Sequence, residues 1–265
     1  MIGWKYFTLF CDDGTLAAGA LCANAKDCGL WLSVYGKDGL ALDRTYPLDR
    51  LTLRAEGMLA GGSRLLWSGG ELSLSVREAG VELDATARRL VDWPGNRLTR
   101  AVGSREIFWE VPGLRMGFSG RLRLGKVSRE ISGLMFHDEV WHELRPSAHL
   151  LWNMRSWVWG ILYSRSYSIL FVQVDYRPDP FRFFCVSGPD GTVSGSEAAF
   201  DGRELSFRGE RIVLDLRDRH DVHHGGPLLK LVSRLLRPKR HSRGTFSFRG
   251  EEGRAYVESL RLLGN

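Results

Sequence analysis

Polar and apolar residues alternate with a period of two through most of the chain. The alternation is clearest in Leu72-Ser-Leu-Ser-Val76, Leu114-Arg-Met-Gly-Phe118, Ile212-Val-Leu-Asp-Leu216 and Phe246-Ser-Phe248, and it predicts strands with one buried face. Ser168-Ile-Leu-Phe-Val-Gln-Val-Asp-Tyr176 is more continuously apolar, as a strand buried on both faces must be. Turn chemistry interrupts the pattern at short intervals, for example at Asp12-Asp-Gly14, Gly61-Gly62, Gly69-Gly70, Pro189-Asp-Gly191, Asp201-Gly202 and Arg249-Gly250. Many short strands at a spacing of roughly 8–12 residues predict an antiparallel barrel or sandwich. With 265 residues, two such modules fit better than one. One stretch departs from the strand period. Leu228, Leu229, Leu231, Val232, Leu235 and Leu236 recur at helical spacing between Pro227 and Pro238, which predicts an amphipathic helix over 226–237.

Composition narrows the class. Hydrophobic residues make up 43% and charged residues 26%, a balance that excludes disorder. No apolar run reaches the ~18 residues of a spanning helix. Asp12 and Asp13 follow the apolar opening too early for a signal peptide, so none is expected. Cys11, Cys22, Cys28 and Cys185 have neither zinc-type nor redox-type spacing, and the expectation is reduced thiols in a cytoplasmic protein. The net charge of +6 equals the six cations of residues 226–243, a segment with no acid. A basic amphipathic helix suits either a barrel plug with a solvated rim or peripheral contact with an anionic membrane on its inner face, through Lys230, Arg234 and Arg237. Without a recognition motif, no nucleic-acid role is expected. Phosphate loops and G-x-S-x-G elbows are absent from the sequence, which argues against nucleotide chemistry and triad hydrolysis.

The chemistry concentrates in residues 106–163. Five of the nine tryptophans lie there, namely Trp109, Trp141, Trp152, Trp157 and Trp159, beside the run His137, Asp138, Glu139, His142, Glu143. Ionisable groups among so much aromatic surface are where perturbed acids and bases arise. Three segments in and around this stretch, Trp109-Glu-Val-Pro112, Gly133-Leu-Met-Phe-His-Asp-Glu-Val-Trp141 and Ser156-Trp-Val-Trp-Gly160, carry a resemblance. The chain resembles the lipocalin-like superfamily of carotenoid 1,2-hydratases (hydroxyneurosporene synthases) and AttH-like proteins. Tyr6-Phe-Thr-Leu-Phe-Cys-Asp-Asp-Gly14 and Gly253-Arg-Ala-Tyr-Val-Glu258 resemble the first and last strands of that group. Phe136, Val140 and His142 stand where its central motif has Tyr, Asn and Gly. The resemblance implies an all-β chain of two tandem lipocalin-like barrels, placed here at 1–131 and 132–265, the second carrying the helix.

It also implies cofactor-free acid chemistry on a hydrophobic isoprenoid- or carotenoid-like substrate held in a barrel cavity. Hydrating an isolated alkene needs a strong acid, a surface that tolerates a carbocation, and a directed water. A carboxyl group desolvated among apolar groups keeps its proton near neutral pH, which nominates Asp138 as donor. His137 or Glu139 would position the water or take its proton. Trp109, Phe136, Trp141, Trp157, Trp159 and Tyr163 would line the substrate, indole faces adding about 0.5–2 kcal/mol per cation contact. Strand alternation sets His137 and Glu139 on one face and Asp138 on the other unless a bulge intervenes. Neither His137 with His142 nor the cluster of His220, His223, His224 and His241 has the spacing of a metal motif, and no metal or cofactor is expected. Two other readings of the same fold are a cyclase that shapes a polyene in the manner of a pericyclase, and a carrier that binds lipid without chemistry.

Overall fold

The computed structural model describes residues 2–23, 27–36, 39–92, 97–102, 105–142, 154–176, 180–222 and 239–261. These divide into two compact units, Met1–Pro146 and Ser147–Asn265. The first contains β1 (Ile2–Cys11), β2 (Leu16–Ala23), β3 (Asp27–Tyr35), β4 (Leu40–Pro47), a 3-10 turn (Leu48–Arg50), β5 (Leu51–Arg54), β6 (Gly57–Ala60), β7 (Ser63–Ser68), β8 (Glu71–Glu78), β9 (Val81–Arg89), β10 (Arg97–Val102), β11 (Arg105–Leu124) and β12 (Val127–His142). The second contains β13 (Met154–Ser164), β14 (Ser168–Tyr176), β15 (Phe181–Gly188), β16 (Gly191–Gly195), β17 (Ala198–Phe200), β18 (Glu204–Phe207), β19 (Glu210–Val222), β20 (Lys239–Phe248) and β21 (Glu251–Arg261).

Every pairing among the described strands is antiparallel. In the first unit the order is β4-β3-β2-β1-β12-β11-β9-β8-β7-β6-β5, with β10 added to β11. The sheet curls until β2 and β3 meet β6 and β7, and its two ends are joined in sequence by the 3-10 turn. In the second unit the order is β16-β15-β14-β13-β21-β20-β19-β18-β17. There β17 comes back against β14 and β15, and the Phe200 N–H donates to Gln173 Oε1 at 3.1 Å. Both sheets are therefore nearly closed antiparallel barrels, the architecture that the period of two predicts.

Each barrel core is built from alternate residues of its strands. Leu72, Leu74 and Val76 point inward with Phe7, Leu9, Leu21, Met58, Leu65, Met116, Phe118 and Met135 in the first unit. Ile212, Leu214, Phe246 and Phe248 do so with Leu162, Phe171, Phe184 and Val257 in the second. Apolar side chains from alternate positions thus build the described core of each barrel. The hairpin residues behave as their chemistry requires. Arg249 and Gly250 take φ values of 49° and 79°, and Arg208 and Gly209 take 45° and 79°, the double left-handed turn whose twist matches the flanking strands.

One boundary moves. The expected border between residues 131 and 132 falls inside β12, which pairs without interruption with β1 from Gly133 to His142. The motif around His137 therefore belongs entirely to the first unit. The predicted helix 226–237, with Lys230, Arg234 and Arg237, lies outside the described residues. Among the described residues no helix is long and apolar enough to cross a membrane.

Candidate functional site

Strand β12 carries the central motif, and its alternation is regular. Met135 belongs to the barrel core and Trp141 packs against it, so His137 and Glu139, of the same parity, also face inward. Phe136, Asp138 and Val140 face outward. The irregularities lie in the neighbouring β11, where the pairing skips between Glu110 and Gly113 and between Gly113 and Met116. A bulge in the partner strand leaves the alternation of β12 itself intact. His137, Asp138 and Glu139 therefore do not converge.

The inward pair forms a polar knot in the apolar interior. Lys5 lies opposite Glu139 in the register of β1 and β12, and its ammonium pairs with Glu139 Oε1. His137 Nε2 lies 3.1 Å from the same oxygen, and the Trp141 indole N–H donates to Oε2 at 3.3 Å. His137 Nδ1 is 2.7 Å from the carbonyl oxygen of Tyr6. Both ring nitrogens thus face oxygen atoms of the knot and of β1. The Lys5 ammonium also stands 5.5 Å from the Trp141 ring centre, and the Trp67 ring lies 6.0 Å from the imidazole. Burial by itself would raise the Glu139 pKa, but His137 and Lys5 outweigh it and hold the carboxyl down at about 2.

On the opposite face of β12, Asp138 is buried at 6% exposure. Its Oδ2 accepts the indole N–H of Trp109 at 2.8 Å. Tyr6 sits directly across from it on β1, and Tyr6 and Phe136 are buried beside it.

The second unit holds a comparable group that the sequence did not single out. Glu258 on β21 is 1% exposed; its Oε1 pairs with the ammonium of Lys239, and its Oε2 lies 3.2 Å from His241 Nε2 on β20. The hydroxyl of Tyr256 donates to the same Oε2 at 3.4 Å. Lys239 stands 5.4 Å from the Trp157 ring centre, and Trp159, opposite Glu258 in the register, packs edge-on to Tyr256 at 5.8 Å. Burial would raise the Glu258 pKa, yet Lys239 and His241 together pull it well below the usual carboxylate range, while burial pushes the His241 pKa down. Val158, Leu162, Ala255 and Val257 line this barrel's core. Trp157, Trp159, Tyr163, Tyr256 and Glu258 have the other parity and face away from it. The buried indole nitrogen of Trp157 has no partner among the described residues.

Of the expected site residues, Trp109, Phe136 and Asp138 share one face in the first unit, His137, Glu139 and Trp141 share the other, and Trp157, Trp159 and Tyr163 line one face in the second. The side chain of His142 and the whole of Glu143 and Trp152 lie outside the description. Lys5 was missed because a lone lysine in an apolar strand reads as an interruption; its inward parity with Phe7 and Leu9 was the available signal. The same holds for Glu258, in phase with Tyr256 and opposite to Ala255 and Val257. Among the described residues, no group of three His, Cys, Asp or Glu is placed to hold a metal. Two grooves stand out among them, one of about 260 Å³ beside Arg203 and Leu214 and one of about 340 Å³ beside Gly61 and Arg77. Neither is lined by a candidate residue.

The arrangement of strands finds counterparts among solved structures. An AttH-like protein of Nitrosomonas europaea superposes with a TM-score of 0.70 at 12% identity, covering 98% of this chain and 92% of its own. The chain has the fold of that group. Kievitone hydratase of Nectria haematococca superposes with a TM-score of 0.65 at 11% identity over 99% of this chain and 89% of the other. CghA, in its structure with Sch210972, gives 0.64 at 9% identity over 100% and 89%. No family model and no curated protein matches the chain by sequence. At such identities the likeness establishes the two-barrel architecture, and the chemistry must be argued from the residues.

Proposed function

We propose that this chain is a cofactor-free enzyme that protonates a carbon–carbon double bond of an apolar, isoprenoid- or polyene-like substrate, with Asp138 as the donor. The observation that carries the reading is the setting of Asp138: a buried carboxyl group on an aromatic sheet face, with one oxygen held by the Trp109 indole N–H at 2.8 Å. With Oδ2 accepting the indole N–H, the transferable proton is assigned in this reading to Oδ1. Glu139 and Glu258 are each tied to a lysine ammonium and held as carboxylates, which suits them to orienting His137, Trp141 and His241 rather than to giving a proton.

In the reaction the Oδ1–H bond breaks and the alkene π electrons form a C–H bond, leaving a cation on the more substituted carbon. Water adds through its oxygen, and the proton it sheds returns to the Asp138 carboxylate. The net change is alkene plus water to alcohol. Without water, return of a neighbouring proton to the Asp138 carboxylate gives an isomer, and attack by a second double bond gives a ring whose new cation is discharged by losing a proton to the same carboxylate. The faces of Trp109, Tyr6 and Phe136 are suited to the cation, at about 0.5–2 kcal/mol per contact.

The test is Asp138→Asn, assayed on a panel of isoprenoid alkenes in ¹⁸O-labelled water. Wild-type protein is expected to place the label in an alcohol, and the variant to lose about 10²–10⁴-fold in rate while still binding the alkene. Unchanged turnover in the variant would remove Asp138 as donor and favour catalysis by shape. Binding without turnover in the wild type would favour a carrier.

A further inference from the structure

One buried group on the same face as Asp138 remains unused by this chemistry. Thr8 is wholly buried, and its hydroxyl has no hydrogen-bond partner among the described residues. A buried hydroxyl in that condition destabilises the fold, and a valine of the same shape would relieve it, so its presence calls for a reason.

The register shows what surrounds it. Thr8 lies between Phe136 on β12 and Ala18 on β2, and Ala18 faces Ser33 on β3. Thr8, Ala18 and Ser33 form a row of short side chains across three strands, about 10 Å long at a strand spacing of about 4.8 Å. The rows on either side carry rings. Tyr6 and Trp31, with centroids 5.6 Å apart, flank it on the side of Asp138. Phe10 and Tyr35, both buried, flank it on the other, and Phe136 stands at its end. The result is a buried row of short side chains between two rows of rings, in which the Thr8 hydroxyl has no partner among the described residues.

We infer that this row seats the oxygenated end of the ligand, with the Thr8 hydroxyl hydrogen-bonded to a hydroxyl or carbonyl oxygen of an isoprenoid-like molecule. The inference rests on the reading of this face as the ligand site and names the substrate class more narrowly: an oxygenated isoprenoid rather than a hydrocarbon. Thr8 makes and breaks no bond; it selects and aligns.

The experiment compares farnesol with the hydrocarbon farnesene, binding to full-length wild type, Thr8→Val and Thr8→Ser, followed by quenching of tryptophan fluorescence. Wild type is expected to bind farnesol about tenfold tighter than farnesene, the fold-change of a single hydrogen bond. In Thr8→Val the preference falls to near unity with farnesene affinity unchanged, and the ligand-free variant unfolds at the same or a higher temperature. Thr8→Ser, which keeps the hydroxyl, keeps the preference. A preference retained in Thr8→Val, or lost in Thr8→Ser, overturns the role of Thr8 alone. Wild-type protein that binds neither compound overturns the functional reading of the face, and the seat with it.

Discussion

Lys5 is 4% exposed inside a barrel whose core is built mainly of apolar side chains. A buried ammonium is tolerable only because Glu139 answers it, and Glu139 is tolerable only because Lys5, His137 and Trp141 share its two oxygens. Such a knot contributes little net stability compared with an apolar filling, but removing one partner strands the other. Lys5→Met is therefore expected to destabilise the first unit by about 3–5 kcal/mol. Pairing it with Glu139→Leu should restore much of the loss. Chemical denaturation of the single and double variants measures this, and a Lys5→Met protein as stable as the wild type would mean that the knot is not energetically coupled. His137 belongs to this knot and Asp138 does not, although they are neighbours in the chain. One step along a strand exchanges the barrel interior for its outer face, so two adjacent ionisable residues have wholly different surroundings.

At the scale of the element, β12 decides the candidate site, because all six residues from Phe136 to Trp141 are presented by its two faces. Its pairing with β1 begins at Gly133, where φ is 147° and an added Cβ would run into the backbone carbonyl of Phe10 on β1. Backbone on the partner strand cannot turn aside as a side chain can. Gly133→Ala is expected to cost about 3 kcal/mol or more, combining strain at this φ with overpacking. It should also shift the near-ultraviolet signal of the tryptophans on and beside β12. A change below about 0.5 kcal/mol, the scale of an ordinary surface substitution, would contradict the close approach. The strands themselves were legible in the chain, since alternation such as Leu72-Ser-Leu-Ser-Val76 has only one reading. The even course of β12 was not. Whether a bulge falls in β12 or in β11 depends on how the two strands register, and nothing local to His137-Asp-Glu139 decides that.

At the scale of the molecule, each unit holds one buried carboxylate tied to a lysine and a histidine, reached by different strands in each. The pH response follows from their direction. Glu139, ordinarily near 4.5, is held at about 2 in the folded chain, and Glu258 is likewise held below its ordinary value. A depressed carboxyl stabilises the fold above its unfolded pKa and loses that contribution as the pH falls toward the folded value. The unfolding temperature should therefore drop steadily between about pH 5 and pH 2. His241 adds to the trend from a higher pH, because burial lowers its folded pKa from 6.5 and the unfolded chain takes up the proton first. Glu139→Gln should flatten the acid limb, and an acid limb as steep in that variant as in the wild type would sink the assignment.

The amino-acid sequence alone determined that the chain is all-β and that it divides into two barrels, and it singled out His137 to Trp141 as the candidate stretch, because alternation and turn residues act over a few positions at a time. Only the tertiary structure decided that the division falls beyond residue 142, that Asp138 turns away from His137 and Glu139, and that Lys5, Thr8 and Glu258 are buried. Those outcomes depend on pairings between residues more than a hundred positions apart, such as Lys5 with Glu139 and Thr8 with Phe136. A period of two fixes which residues share a face, but long-range strand order alone determines what that face meets.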